Sequence, residues 1–443
     1  MSEEALADLE GVQMSERDGP ALKVLPVVVC REERLEEAQL ASFIEGLKGG
    51  LGPEVQLLDS SLARSIADLE AFPAAAAEAD AILIYKPHLG LGDCVLKVAE
   101  QGKPLIIFGG EGRVRLALDA LEYLYPRAGA ETWVAVDYQD IAFRLRLLAA
   151  KKRLANTRLL ILNADYPHWE RWICRVSGGA EAIRARLGLE LEYLPSAELI
   201  KRWEAIDGAR AASLAESWRA GAERVLESTD EDLRVVARLY LAMRDLLAEK
   251  EAQGLTMAYG DDPLPVPCLA YMALRDEGLP AACEADILSL LAMVMVHHLL
   301  GKPSFMGNIF VDLQDGTITL SHCVAPRRMA GYLSPPLPYT LRDQHWGKAP
   351  GSVSAFVELE PGREVTICRL SGDLRSMLLA RGKILDCRDL PGYCRMAVRI
   401  KLDGSARELA HRTSGNHHVM IYGDHRVELG ELNRLLGIQT IEL

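Results

Sequence analysis

The sequence predicts an α/β protein with two doubly wound, Rossmann-like units followed by a C-terminal antiparallel β-barrel-like domain. Three observations predict it. Short apolar runs alternate with helical spacing from Val24 to about Val136, the pattern of a parallel sheet buried on both faces. A second such alternation begins near Asn156. From about Ile309 the period changes to strands bounded by Gly, Pro or Asp, as in an antiparallel meander or small barrel. The expected domains are 1–155, 156–308 and 309–443. A chain of 443 residues is long enough for cores of this number.

The elements follow in order. Residues 1 to about 20 are polar and expected to fray. Val24 to Val29 is a continuous apolar strand, and Glu33 to Leu51 has helical spacing. Val55 to Leu58, Ala81 to Tyr85, Leu105 to Phe108 and Trp133 to Val136 read as strands. Helices are expected at Ser61 to Ala71, stopped by Pro73, and at Asp93 to Gln101. The glycine-rich turns Leu89 to Asp93 and Gly109 to Gly112 match neither a dinucleotide nor a P-loop fingerprint, so they read as strand-to-helix turns. In the second unit, Arg158 to Leu162, Glu190 to Leu194 and Gly254 to Ala258 are strands. Gly179 to Leu187, stretches from Ser196 to about Leu226, Asp230 to Gln253 with Thr229 or Asp230 as N-cap, and Cys268 to Asp276 are helices. Trp169, Trp172, Trp203 and Trp218 read as core or interface aromatics. Ile287 to Leu300 is a long apolar helix. Beyond it, Ile309 to Asp312 and Thr317 to Leu320 flank Gln314-Asp315-Gly316, a hairpin signal. Val353 to Leu359, Glu364 to Leu370, Lys383 to Cys387, Met396 to Leu402 and His418 to Tyr422 complete the strands, and Arg426 to Gly437 closes as an amphipathic helix.

Composition narrows the function classes. A net charge of -13 argues against a nucleic-acid or membrane-surface partner, either of which wants a basic footprint. Nine cysteines, an odd number with no Cys-x-x-Cys, read as reduced thiols rather than a disulfide framework or zinc site. Met1 to Gly11 is acidic and lacks an apolar core, and Ile287 to Leu300 is too short to span a bilayer. A cytoplasmic location is the expectation.

The residues that offer chemistry cluster late in the chain. Glu284 and Asp286 precede the apolar helix, where the plain reading is two first-turn acids favoured by the helix N-terminus. The other reading pairs Glu284 with His417, because carboxylate oxygen plus imidazole nitrogen suits manganese, iron or zinc. Adjacent strand residues face opposite ways, so only one of His417 and His418 can enter a given site. His297-His298, inside the apolar helix, reads as a core pair. His322 begins a loop after a strand, a common place for function. Asp261-Asp262 read as a solvated turn.

The chain from about Asp230 onward resembles the L-fucose/L-arabinose isomerase superfamily of ketol isomerases, and within it the shorter fucose-isomerase-like proteins. The resemblance rests on Pro267-Cys268-Leu269-Ala270 with Asp276 to Asp286, on Phe305-Met306-Gly307-Asn308 with Leu320 to Cys323, on Pro361 to Thr366, and on Gly415-Asn416-His417-His418 with Tyr422 to Asp424 and Glu431 to Ile438. It implies a divalent cation, usually Mn2+, held by a glutamate, an aspartate and a histidine. Glu284 matches the glutamate and His417 the histidine. The aspartate position falls on Asn308, which can coordinate but cannot accept and return a proton. His322 and Asp286 are further candidates beside the metal, with Asp286 or Asp312 as substitute acids.

The resemblance therefore implies an aldose–ketose isomerase-like enzyme acting on a sugar or sugar derivative through an enediol, with Glu284 and Asn308 at the catalytic position and Glu284, Asn308 and His417 as the metal set. It also implies a homo-oligomer, trimer or hexamer, whose sites a neighbour's N-terminal domain completes. Asn308 leaves two other readings open: a sugar-binding or regulatory protein without turnover, and a lyase or hydrolase reusing the metal.

Overall fold

A computed structural model of the chain describes residues 19–31, 37–125, 131–165, 176–258, 263–343, 351–390 and 394–443. The terminus through residue 18, Trp169, Trp172, Asp261 and Asp262 lie outside the described residues. The chain divides into two compact units, residues 1–153 and 154–443.

In the first unit the elements run β1 (Leu22–Val29), α1 (Glu37–Gly50), β2 (Val55–Leu57), β3 (Ser61–Ala63), α2 (Phe72–Glu78), β4 (Ala81–Tyr85), α3 (Gly92–Ala99), β5 (Leu105–Phe108), α4 (Val114–Leu124), β6 (Thr132–Ala135) and α5 (Tyr138–Ala155). The described strands form one sheet in the order β2-β1-β4-β5-β6, with β3 also on β1. Every pairing is parallel. The order reverses at β1, the mark of a doubly wound sheet. β2 pairs with Leu22 to Val24 and β3 with Val27 to Val29. The break between them falls at Pro26, which has no N–H to donate.

The helix expected over Ser61 to Ala71 is not formed. Ser61 to Ala63 are strand, and Ala67 to Leu69 make a short 3₁₀ turn. Pro73 does not stop a helix but stands in the first turn of α2. The missing N–H costs nothing there, because first-turn donors have no intrahelical partner. The two glycine-rich turns are packing turns. A Cβ on Gly92 would fall 2.2 Å from the Tyr123 ring, and one on Gly109 would fall 2.5 Å from the Arg113 carbonyl oxygen.

The second unit continues with β7 (Arg158–Leu162), α6 (Gly179–Leu187), β8 (Glu190–Leu194), α7 (Ser196–Ala205), α8 (Gly208–Gly221), β9 (Arg224–Val225), α9 (Asp230–Glu249), β10 (Gly254–Met257), α10 (Cys268–Asp276), β11 (Ala281–Ala282) and α11 (Ile287–Leu300). β11-β10-β7-β8 is a second parallel sheet. Thr229 caps α9 in a capping box with Asp232. Trp203 donates to the Val235 carbonyl, and Trp218 packs edge-on against Tyr240.

Then follow β12 (Phe305–Asp312), β13 (Thr317–His322), β14 (Tyr339–Asp343), β15 (Val353–Val357), β16 (Glu364–Leu370), β17 (Ser376–Asp389), β18 (Met396–Leu402), α12 (Ala406–Arg412), β19 (His417–Tyr422), α13 (Arg426–Leu435) and β20 (Gln439–Glu442). β16-β19-β12-β13-β18-β17 is an antiparallel sheet, and β17 pairs back onto β16 to close a six-stranded barrel. β20 adds a parallel strand to β17. β12 begins at Phe305 rather than Ile309, so Asn308 belongs to a barrel strand.

α11 is buried on every face from Ile287 to Leu299, as a helix apolar all round must be. It packs against β10 and β11 on one side and against β16 and β19 of the barrel on the other. His297 and His298 are a core pair. The His297 Nδ1 bonds the Tyr332 hydroxyl and the His298 Nε2 bonds the Thr157 hydroxyl, each at 2.8 Å. Among the described residues no helix is long and apolar enough to cross a membrane.

Candidate metal centre

The site forms where the N-terminus of α11 meets the barrel. Between β11 and α11 the chain makes a tight bridge, with Glu284 and Ala285 both in the left-handed region at φ 58° and 50°. Non-glycine residues pay for that conformation. Here the Ala285 N–H donates to the Met257 carbonyl at 2.9 Å and the Cys283 N–H to the Met306 sulfur at 3.1 Å. The bridge throws the Glu284 side chain outward, 44% exposed, while Asp286 is fully buried.

Asp286 is the N-cap of α11. Its carboxylate accepts from the Ser289 N–H at 3.0 Å and the Ser289 hydroxyl at 2.7 Å. The Arg369 guanidinium lies 3.2 Å away and the His417 Nδ1 2.9 Å away. Burial pushes this carboxyl up. The His417 hydrogen bond, the Arg369 and His417 charges and the Ser289 hydroxyl outweigh it and hold the group well below the usual carboxylate range.

With Nδ1 held by Asp286, His417 presents its Nε2 to Glu284, 3.6 Å from Oε2. His322, at the end of β13, presents its Nε2 3.7 Å from Oε1 of the same carboxylate. The two rings are 5.3 Å apart. Both Nε2 atoms are buried and have no hydrogen-bond partner among the described residues. Burial, then the His417 and Arg275 charges, holds His322 well below the usual imidazole range. It is thus a neutral lone-pair donor at ordinary pH.

Glu284, His322 and His417 form a group whose ligand atoms lie within 4.8 Å of one another. One carboxylate and two imidazoles, with an acid fixing the outer nitrogen of one, fit a divalent cation. The two orphaned nitrogens aimed at one carboxylate are the observation that supports the fit, since buried polar atoms are otherwise satisfied.

Asn308 lies directly across the ladder from His417 in β19 and from Ser321 in β13. Its side-chain oxygen accepts from the Asn416 amide. Asp312 stands at the far end of β12, opposite Thr317, and accepts from the Gln314 N–H at 2.8 Å. That is about 13 Å along the strand from Asn308, so it does not reach the group. His418 faces away from it, with its Nε2 2.7 Å from the Thr413 hydroxyl. Burial pushes the His418 imidazole down to about 4. Arg327 and Arg328 are structural, their N–H groups donating to Asp276 at 2.7 and 3.0 Å.

Two buried arginines went unread in the sequence. Arg369 also donates to the His417 carbonyl at 3.0 Å. Arg275 donates to the carbonyls of Ala281 at 2.7 Å and Val324 at 2.9 Å. It thereby ties together the chain before Glu284 and the chain after His322. The available signal was a cation inside an apolar strand, Val365 to Leu370, which demands a buried partner.

No family model matches the chain. It is 25% identical over 273 residues to the sulfoquinovose isomerases of Priestia aryabhattai and Priestia megaterium (strain ATCC 12872 / QMB1551), the match covering 59% of this chain and 59% of each of theirs. It is 22% identical over 235 residues to the sulfoquinovose isomerase of Alkalicoccus urumqiensis, covering 49% of this chain and 50% of that one. The chain thus spans about 59% of the length of the first two relatives it matches.

Proposed function

We propose that this chain is a metal-dependent sugar isomerase of the L-fucose/L-arabinose isomerase type, converting aldose to ketose through an enediol with Glu284 as the proton carrier. The observation that carries the reading is the convergence of the His322 and His417 Nε2 atoms on the Glu284 carboxylate, at 3.7 and 3.6 Å. The similarity to sulfoquinovose isomerases supports a sugar, or a sugar bearing a sulfonate, as the substrate class.

A divalent cation on these three side chains, Mn2+ by preference, would polarise the sugar's carbonyl and neighbouring hydroxyl. Glu284 takes the proton from the carbon beside the carbonyl and returns it to the adjacent carbon. Its partial exposure leaves one face open to a sugar. Asp286 and Arg369 hold His417 in place and take no part in proton transfer, being engaged with each other. Asn308 cannot carry a proton, so in this reading a single carboxylate serves both transfers and the amide only orients. A homo-oligomer, trimer or hexamer, is part of the same proposal and is read by light scattering.

The test is manganese content together with aldose–ketose conversion, measured on pentoses, deoxyhexoses and sulfoquinovose. Glu284→Gln is expected to lower turnover by about 100-fold or more and to weaken metal retention. Unchanged metal and unchanged turnover would refute the reading. The Asn308 amide, bonded to Asn416 where the resemblance expects an acid, favours a second reading: a sugar-binding protein without turnover. Sugar binding by calorimetry, with no conversion in either the parent or Asn308→Asp, would decide for it.

A further inference from the structure

His322 belongs to a second cluster. A ring nitrogen of His322, the Cys323 Sγ and the Cys394 Sγ lie within 4.8 Å of one another. The two sulfurs are 3.8 Å apart, a hydrogen-bonding rather than a disulfide distance. The two thiols come from places 71 residues apart in the sequence. Cys323 follows β13, and Cys394 precedes β18, whose Met396 pairs with His322. Cys323 is 6% exposed and Cys394 is part-buried.

We propose that His322, Cys323 and Cys394 form a second cation site, for a thiophilic ion such as zinc or cadmium, and that it competes with the Glu284 centre for His322. Ligand chemistry separates the two sites. Thiolate sulfur selects soft and borderline ions, whereas carboxylate with imidazole accepts manganese. Each thiol that ligates gives up its proton to solvent, so the dication enters as two thiol protons leave. Two of the three donors are sulfur and none is a carboxylate, so the group does not suit a hard ion. An ion held on the thiols engages His322 and leaves Glu284 and His417 one ligand short.

The test uses the full-length chain, reduced with a phosphine under nitrogen and titrated with cadmium chloride. A thiolate-to-cadmium charge-transfer absorption in the ultraviolet is expected to rise and saturate at a single equivalent, with proton release, while manganese chloride raises none. Cys394→Ser is expected to cut that absorption severalfold and to leave manganese content unchanged. His417→Ala is expected to lose manganese yet keep the cadmium absorption, so failure here is distinct from failure of the isomerase reading. Cys323→Ala is a further variant, but the parent and Cys394→Ser suffice if it does not fold. No saturating absorption in the parent, or the same absorption in Cys394→Ser, would overturn the proposal.

Discussion

Replacing Asp286 tests the energetic core of the site. The Asp286 side chain is fully buried and its partner Arg369 is 2% exposed. Asp286→Ala removes the N-cap acceptor of α11, worth about 1 kcal/mol. It also removes the carboxylate 3.2 Å from the buried Arg369 guanidinium, which keeps its bonds to the His417 carbonyl at 3.0 Å and the Ser289 hydroxyl at 3.5 Å. Breaking a buried pair from one side costs about 3–5 kcal/mol. The expected loss is therefore about 4–6 kcal/mol, a large part of the roughly 5–15 kcal/mol that keeps a domain folded. Asp286→Asn keeps a capping oxygen, since Asn and Asp cap equally well, and should lose about 1 kcal/mol less. Adding Arg369→Met to Asp286→Asn removes the second buried charge and should recover most of the loss. Urea denaturation followed by tryptophan fluorescence reads all three variants, and metal affinity should fall about 10–100-fold in Asp286→Asn. An alanine variant within about 1 kcal/mol of the parent, or a double variant no more stable than Asp286→Asn, would refute the assignment of Asp286 as the counter-charge.

Three further outcomes follow from the same structure. Burial pushes the Asp276 carboxyl up to about 6, against the two N–H groups of Arg327 and Arg328 that lower it. Its folded value lies above the ordinary 3.8, so the folded state holds this proton more tightly. The stabilisation is full below about pH 4 and is lost as pH rises through about 6, a change of about 3 kcal/mol. Asp276→Asn keeps the acceptor and should flatten that dependence, raising the urea midpoint near neutral pH; a lower midpoint there would count against it. Thr229→Ala breaks the capping box of α9 and should cost about 1 kcal/mol, seen as a melting temperature about 2–4 °C lower; no shift would mean the box contributes nothing. A Cβ on Gly382 would fall 2.6 Å from the Lys401 carbonyl oxygen, so Gly382→Ala should cost about 1–3 kcal/mol and raise amide exchange across β17 and β18; unchanged protection would show that the ladder gives way there.

The regular parts of this fold were legible because their cause is local. The apolar run of β1 and the all-apolar α11 announce burial by composition alone, and the barrel strands by their Gly, Pro and Asp boundaries. Ser61 to Ala71 misled because helical spacing in a short alanine-containing stretch competes with pairing to Val27 to Val29, which only the tertiary structure supplies. Glu284, His322 and His417 were each readable as donor types, but their meeting depends on the register of β19 on β12 and β13 on β18. Glu284 and Asp286 looked alike as helix-start acids. A two-residue offset, set by the left-handed bridge, makes one an open carboxylate and the other a buried cap. The thiol pair left no sequence signature, since Cys323 and Cys394 lie 71 residues apart with no spacing motif.

The closed barrel gives the two halves of the centre different fates under change. His417 lies on β19, which is hydrogen-bonded on both sides, to β16 and to β12. No free edge lets that strand slip, so the imidazoles behave as fixtures of the frame. Glu284 hangs instead on a short backbone bridge, its side chain 44% exposed and free of any capping duty. A scaffold built this way can be re-equipped at the acid while the histidines stay where they are. New chemistry on this fold is then most readily explored at 284, and substitutions at 286 or 369 test the frame before they test the reaction.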